Sequence, residues 1–306
     1  MSTLRAHAPS GPATVDRSQV YMELTKPRIT FMVLLTVAVG YFCAIPYEGS
    51  FLGVLNVLVG TALSCSGSGA LNQYLERDVD LFMDRTRFRP LPAQQISASG
   101  AALLGAALSI GGVAYLALFV NGISAALNAL TVLSYLFLYT PMKRVTPLST
   151  LAGAVPGALP PVIGWTAASG EIGAGAVVLF AILFLWQVPH FLAIGCMYRE
   201  DYAKAGFPML VVVDREGNTT ARQMVLYAIT LLPTSLLLST AGIGGHLYFW
   251  CAVALGLAYA VTAWRAAVER SRVSARRLLL CSVFYLPLLF GVLFIERLLL
   301  SLRAAS

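Results

Sequence analysis

Residues 51–86 read FLGVLNVLVGTALSCSGSGALNQYLERDVDLFMDRT: twenty-one residues without a charge, then six charged side chains in the next fifteen. The first part is long enough to cross the roughly 30 Å hydrocarbon of a bilayer as a helix, at about 1.5 Å per residue. The second part is where the chain becomes wet. The same apolar pattern recurs from Ile29 to the C-terminus, and it predicts spans at about 29–45, 51–71, 98–119, 121–140, 148–168, 173–196, 223–241, 246–264 and 278–299. Only Asn121-Gly122 separates the third from the fourth. Pro156, Pro160 and Pro161 interrupt the fifth, which a spanning helix tolerates when neighbours re-satisfy the freed backbone. The implied fold class is all-α: a polytopic membrane protein, a bundle of about nine transmembrane helices. Residues 1–25 are expected to be a flexible cytoplasmic tail, and 26–306 a single transmembrane domain.

Composition agrees. Of the 306 residues 58% are hydrophobic and 11% charged, more apolar than a soluble core of this length requires. The basic residues set the orientation. With the N-terminus in the cytoplasm, nineteen of the twenty-one Lys and Arg fall in inner segments, leaving only Arg297 and Arg303 at the C-terminal end. Such asymmetry obeys the positive-inside rule. The net charge of +7 is thus a topology signal, and its dispersal over five segments speaks against nucleic acid. Cys43, Cys65, Cys196, Cys251 and Cys281 lie in predicted spans without metal-ligand spacing and read as packing. The first 25 residues have no long apolar stretch of the kind a secretory signal needs, nor the Arg- and Ser-rich bias of a transit peptide. A bacterial inner membrane is the expected location.

Four of the fourteen acidic residues lie within nine positions, 76–84. Carboxylates next to a membrane are costly unless something positive holds them. Asn72, Glu76, Asp80 and Asp84 recur every fourth residue, so a continuing helix would carry them on one stripe, with Arg77 and Asp78 pointing elsewhere. Oxygen donors on one stripe suit a hard cation such as Mg²⁺, which completes its shell with water and substrate phosphate. The bland alternative is a solvated loop with local pairs such as Glu76–Arg77 or Asp84–Arg85. An EF-hand is excluded, since the required glycine and distal glutamate are missing. A second cluster, Tyr198-Arg199-Glu200-Asp201-Tyr202, follows the sixth span on the same side. Lys26, Arg28, Arg77, Lys143, Arg144, Arg199 and Lys204 are candidate phosphate ligands, and also ordinary inside-positive flanks. His190, within the sixth span, is a functional candidate because ionisable groups at membrane depth usually are. It has three readings: an iron ligand, a donor to substrate, or a partner of another helix.

These residues resemble the UbiA superfamily of intramembrane prenyltransferases. Asn72, Glu76 and Asp80 match its Asn-x-x-x-Asp-x-x-x-Asp signature, with Glu76 one methylene longer than the usual aspartate. A narrower resemblance, to the protoheme IX farnesyltransferases, rests on Arg77-Asp78-Val79-Asp80, Met83, Arg85-Thr86 and Arg89-Pro90-Leu91. It continues through Lys143-Arg144-x-Thr146-Pro147, Pro160-Pro161-x-Ile163-Gly164-Trp165, Trp186-Gln187-x-Pro189-His190-Phe191, and Asp201-Tyr202 followed by Gly206-x-Pro208-Met209-Leu210. Ala205 stands where the superfamily usually has a second aspartate of its second motif.

The resemblance implies that the bundle of about nine helices surrounds a central cavity, with farnesyl diphosphate as donor, haem b as acceptor and Mg²⁺ as cofactor. It fits Asn72, Glu76, Asp80 and Asp201 as catalytic and metal-holding residues; Asp84, next on the four-residue stripe, is a further expected metal ligand, and His190 is the residue expected to position haem. A haem-modifying enzyme or a terminal oxidase subunit is the candidate recipient of the product. Three other readings compete. A quinone-type or other aromatic acceptor would share the diphosphate site. A secondary transporter is disfavoured because the charges gather at one face instead of the bilayer midplane. A non-catalytic haem-binding assembly protein would have no need of the acidic stripe.

Overall fold

The computed structural model of the protein describes residues 16–44 and 50–305. Among them, nine helices are long and apolar enough to cross a membrane. They are Pro27–Ala44, Phe51–Asp80, Ala98–Phe119, Gly122–Met142, Ser149–Ser169, Ala174–Met197, Asn218–Thr240, His246–Glu269 and Arg272–Leu299, and they are called here the first to ninth spans. All nine predicted stretches are present. The largest differences are polar extensions: the second span runs on to Asp80, the seventh begins at Asn218, the eighth ends at Glu269 and the ninth begins at Arg272. A helix already nucleated in lipid continues into water because each added residue closes one more backbone bond.

The second span therefore decides where the site lies. Its 30 residues extend about 45 Å, well beyond the ~30 Å hydrocarbon thickness, so its last turns stand clear of lipid. Those turns carry Asn72, Glu76 and Asp80.

Most of the expected tail, residues 1–15, lies outside the described residues. Its last part is not a tail but a helix, Arg17–Thr25, capped at its start by Asp16 accepting from the Ser18 N–H. This helix is docked on the second span by Gln73, whose Nε2 donates to the carbonyls of Glu23 and Leu24 at 2.8 and 3.3 Å. Val20 and Leu24 are buried there with Ala70, Leu91 and Ala101. The helix ends at Lys26, held in the left-handed region at φ 49°, and Pro27 opens the first span, where its missing N–H costs nothing. This tight corner turns the Lys26 side chain toward the second span.

The first span then crosses the fifth at near backbone contact. A Cβ on Gly40 would collide with the Pro161 carbonyl, and one on Gly164 with the Val37 carbonyl. The fifth span itself is two helices, Ser149–Ala158 and Pro160–Ser169. The fourth contains a π-helical turn over Ser134–Tyr139, just before Thr140. Such wide turns shift the register of the residues beyond them and recur at functional sites. The larger core lies among the sixth to ninth spans, around Ile182, Leu192, Leu231, Tyr248, Tyr259, Tyr285 and Leu289.

Candidate active site

Asn72, Glu76 and Asp80 lie on one stripe of the second span, as the spacing predicts, and all three are buried. Each is met by a cation from a different segment. Lys26 Nζ donates to Asn72 Oδ1 at 3.0 Å. Lys143 Nζ donates to Glu76 Oε1 at 2.7 Å. Arg89 Nη1 donates to both Asp80 oxygens, at 3.0 and 2.8 Å. Asn72 Nδ2 in turn donates to Thr140 Oγ1 at 3.2 Å, which donates to the Tyr135 carbonyl. The π-helical turn thus anchors the fourth span to the stripe and presents Lys143 four residues past Tyr139, over whose ring its ammonium sits at 4.5 Å.

Arg89 arrives by a folded connection. Helical order ends at Asp80, and the chain then turns repeatedly through residues 81–96. Thr86 Oγ1 donates to the Asp80 carbonyl at 3.0 Å and closes the first of these turns.

Three cations facing two carboxylates leave the cluster formally positive, which favours an anionic ligand. Burial draws the Lys26 ammonium down to about 8, and repulsion from Arg89 and Lys143 adds to it. For Lys143 burial acts in the same direction, but Tyr139, Glu76 and Tyr135 outweigh it and hold its ammonium above the usual lysine range.

The donor set fits magnesium delivered with a phosphate. Among the described residues no three His, Cys, Asp or Glu side chains gather as a metal cage. Mg²⁺ needs none, since one or two carboxylates plus substrate phosphate and water commonly suffice. Glu76, Asp80 and the Asn72 amide would hold it.

Other expected residues lie elsewhere. Asp84 falls beyond the end of the helix, so the every-fourth-residue stripe does not reach it. It is exposed and paired with Lys204 at 3.0 Å and Arg87 at 3.5 Å. Lys204 holds the Asp84 carboxyl below the usual range, and Asp84 raises the Lys204 ammonium. This pair joins the two acidic segments across 120 positions, as does Arg85 donating to the Tyr202 hydroxyl at 3.5 Å. Asp201 lies half-buried on the short helix Arg199–Lys204.

Arg77 bends back to the Tyr74 carbonyl and ring and to Asp78. Arg144 donates to the Leu75 carbonyl, and Arg28 is exposed at the start of the first span. Arg199 lines a cavity of about 300 Å³ together with Asp214, Arg215, Arg270 and Arg272. His190 is also apart. Its ring stacks on Trp186, with centroids 4.7 Å apart, and its Nδ1 lies 2.7 Å from Ser282 Oγ on the ninth span. Sequence reasoning assigned no role to Arg89, Thr140 or Ser282. Arg89 belongs to the Arg89-Pro90-Leu91 match, but only the fold of 81–96 reveals its partner.

A model of the UbiA prenyltransferase family matches residues 33–290. A protein of Solibacter usitatus named protoheme IX farnesyltransferase is 49% identical, over 90% of this chain and 98% of its own. One of the same name from Koribacter versatilis is 41% identical over 94% and 96%. Among solved structures, a digeranylgeranylglyceryl phosphate synthase superposes with a TM-score of 0.78 at 16% identity, covering 92% of this chain and 98% of that one. A UbiA homologue from Archaeoglobus fulgidus, bound to GPP and Mg²⁺, gives 0.65 at 18% identity, over 90% and 99%. At such identities these structures speak for the fold.

Proposed function

The chain belongs to the UbiA prenyltransferase family, and from that premise we propose that it transfers a farnesyl group from farnesyl diphosphate to a vinyl group of haem b. Water adds in the same reaction, giving haem O and diphosphate. The names carried by relatives at 41% and 49% identity support the substrates. The observation that carries the reading is the convergence of Lys26, Lys143 and Arg89 on Asn72, Glu76 and Asp80.

Bound Mg²⁺ supplies charge neutralisation on the departing diphosphate. Asn72, Glu76 and Asp80 would hold it, and Asp201 is the candidate carboxylate from the second acidic segment. Lys143, Arg89 and Lys26 donate to diphosphate oxygens, and these contacts strengthen as the C–O bond breaks and its electron pair leaves with the diphosphate. The vinyl carbon attacks the resulting allylic cation. Water then adds to the cation left beside the porphyrin and loses a proton, so the acceptor gains one farnesyl and one hydroxyl group. His190 positions the haem from the sixth span.

The protein is an integral multi-pass membrane protein, and the asymmetry of its basic residues supports a bacterial inner membrane with the acidic site facing the cytoplasm. A terminal oxidase subunit or haem-modifying enzyme would receive the product. The reading is tested by mass spectrometry of porphyrin recovered after incubation with haem b, farnesyl diphosphate and Mg²⁺. A gain of one farnesyl group plus one hydroxyl group, absent without Mg²⁺, is expected. Unchanged haem from folded protein that binds farnesyl diphosphate would reject haem as acceptor.

A further inference from the structure

His190 and Ser282 share one short contact, and its proton can be placed. Ser282 Oγ lies 2.6 Å from the Leu279 carbonyl and 2.7 Å from His190 Nδ1. Two oxygens at 2.6 Å need a proton between them, and a serine hydroxyl has only one. That proton points at Leu279, so Ser282 Oγ meets the imidazole with a lone pair. Nδ1 must then be the donor, which in the neutral imidazole leaves Nε2 bare.

The surroundings hold this arrangement. Ser282 is fully buried. Trp186, stacked on the imidazole, donates from Nε1 to the Ser282 carbonyl at 2.9 Å, and its own carbonyl accepts from the Tyr259 hydroxyl at 2.9 Å. Phe191 meets the ring edge-on at 5.6 Å. Three spans thus fix one ring orientation and one tautomer. A metal-ligating histidine commonly has this form, donating its second nitrogen to a neighbour so that the ligating lone pair is aimed.

We propose that Ser282 is a positioning residue that holds His190 as the Nδ1–H tautomer, so that Nε2 ligates the iron of haem b. The proposal rests on the reading that haem is the acceptor and that His190 positions it. It adds a residue on the ninth span to the acceptor side, far along the chain from the acidic stripe.

The test uses the full-length protein in lipid, with ¹⁵N-labelled histidine and a His190→Ala sample to assign the signal. The chain has three histidines, so the spectrum is simple. Wild type should show a protonated Nδ1 and a bare Nε2 at His190, and Ser282→Ala should lose that preference. In haem b titrations, Ser282→Ala should weaken binding about ten- to a hundredfold, the usual cost of losing such a partner. It should also shift the iron–histidine stretching band, with both effects recovered in Ser282→Thr. An Nε2–H tautomer in wild type overturns the proposal. So does wild-type haem binding by Ser282→Ala when His190→Ala has lost it, an outcome that leaves His190 its role. Wild-type haem binding by both variants overturns the underlying assignment of His190 as well.

Discussion

Two acidic segments end membrane helices on the same side of this molecule, and similar composition has led to different structures. In Asn72–Asp80 the carboxylates sit on the continuing turns of a long helix. Glu76 and Asp80 are 5% and 0% exposed, and each meets a cation brought from another segment. In Arg199–Lys204 the helix is six residues long, and its lysine pairs with Asp84 in the open, both side chains more than half exposed. Burial is the difference that matters. A charge held in low dielectric interacts strongly with whatever replaces its partner, whereas an exposed one is screened by water. The first segment therefore suits the work of a site, and the exposed Lys204–Asp84 pair of the second that of a surface clasp.

The largest test of that contrast is Asp80→Asn. The amide keeps the shape but gives up the charge that faces Arg89. Turnover should fall by about a hundred- to a thousandfold, the scale of losing one electrostatic contributor to a transition state. The protein should remain folded and inserted, which circular dichroism and size-exclusion chromatography would check. Near-normal turnover at low Mg²⁺ would remove the stripe from the chemistry.

Lys143 and Glu76 test whether the buried pairing is separable from function. Lys143→Met leaves Glu76 buried without its partner, and breaking such a pair costs about 3–5 kcal/mol. The double variant Lys143→Met, Glu76→Gln should regain most of that stability while remaining inactive. A double variant that regains turnover would mean that the pair is only structural. Thermal unfolding and product formation, measured on the same samples, separate the two outcomes.

Much of this was legible in the sequence, for physical reasons. Apolar length fixes a membrane helix nearly alone, so all nine spans could be read. The four-residue period placed Asn72, Glu76 and Asp80 together because the helix runs that far. It failed at Asp84 because the helix stops at Asp80, and nothing in a period announces its own end. Arg89 was hidden for another reason. Its partner is set by turns through 81–96, including a left-handed Gln94, and turn paths are not periodic. The helix Arg17–Thr25 was missed because it lacks a marked apolar face and is held by one glutamine and two buried side chains. Arg199 and Lys143 both looked like inside-positive flanks, and only tertiary contacts tell them apart.

A smaller and more selective effect comes from pH. Lys26 titrates near 8 in the folded protein, below its ordinary value of 10.5. The sign follows from linkage. Between about 8 and 10.5 the folded state binds fewer protons than the unfolded state, so this group adds stability as pH rises through that window. A bound diphosphate does the reverse, favouring the ammonium and raising its pKa. Affinity for farnesyl diphosphate should be flat below about pH 8 and fall by up to about tenfold per unit above it. The bend should move to higher pH in Lys26→Arg, whose guanidinium stays charged. A bend at the same pH in that variant would assign the titration to another group.

The smallest effect is expected at the clasp. Asp84→Asn and Lys204→Gln each break an exposed ion pair, and such pairs contribute little because water and salt already screen them. Turnover should stay within about twofold of wild type, and high salt should erase even that difference. Asp201, on the same short helix, is the informative control because it is half-buried and proposed as the further carboxylate of the site. If Asp201→Asn loses activity while Asp84→Asn does not, the boundary between site and surface runs through the second segment, between Asp201 and Lys204. If Asp84→Asn loses more than about tenfold, far beyond the worth of an exposed pair, the clasp belongs to the site, and exposure is the wrong criterion for dividing the two segments.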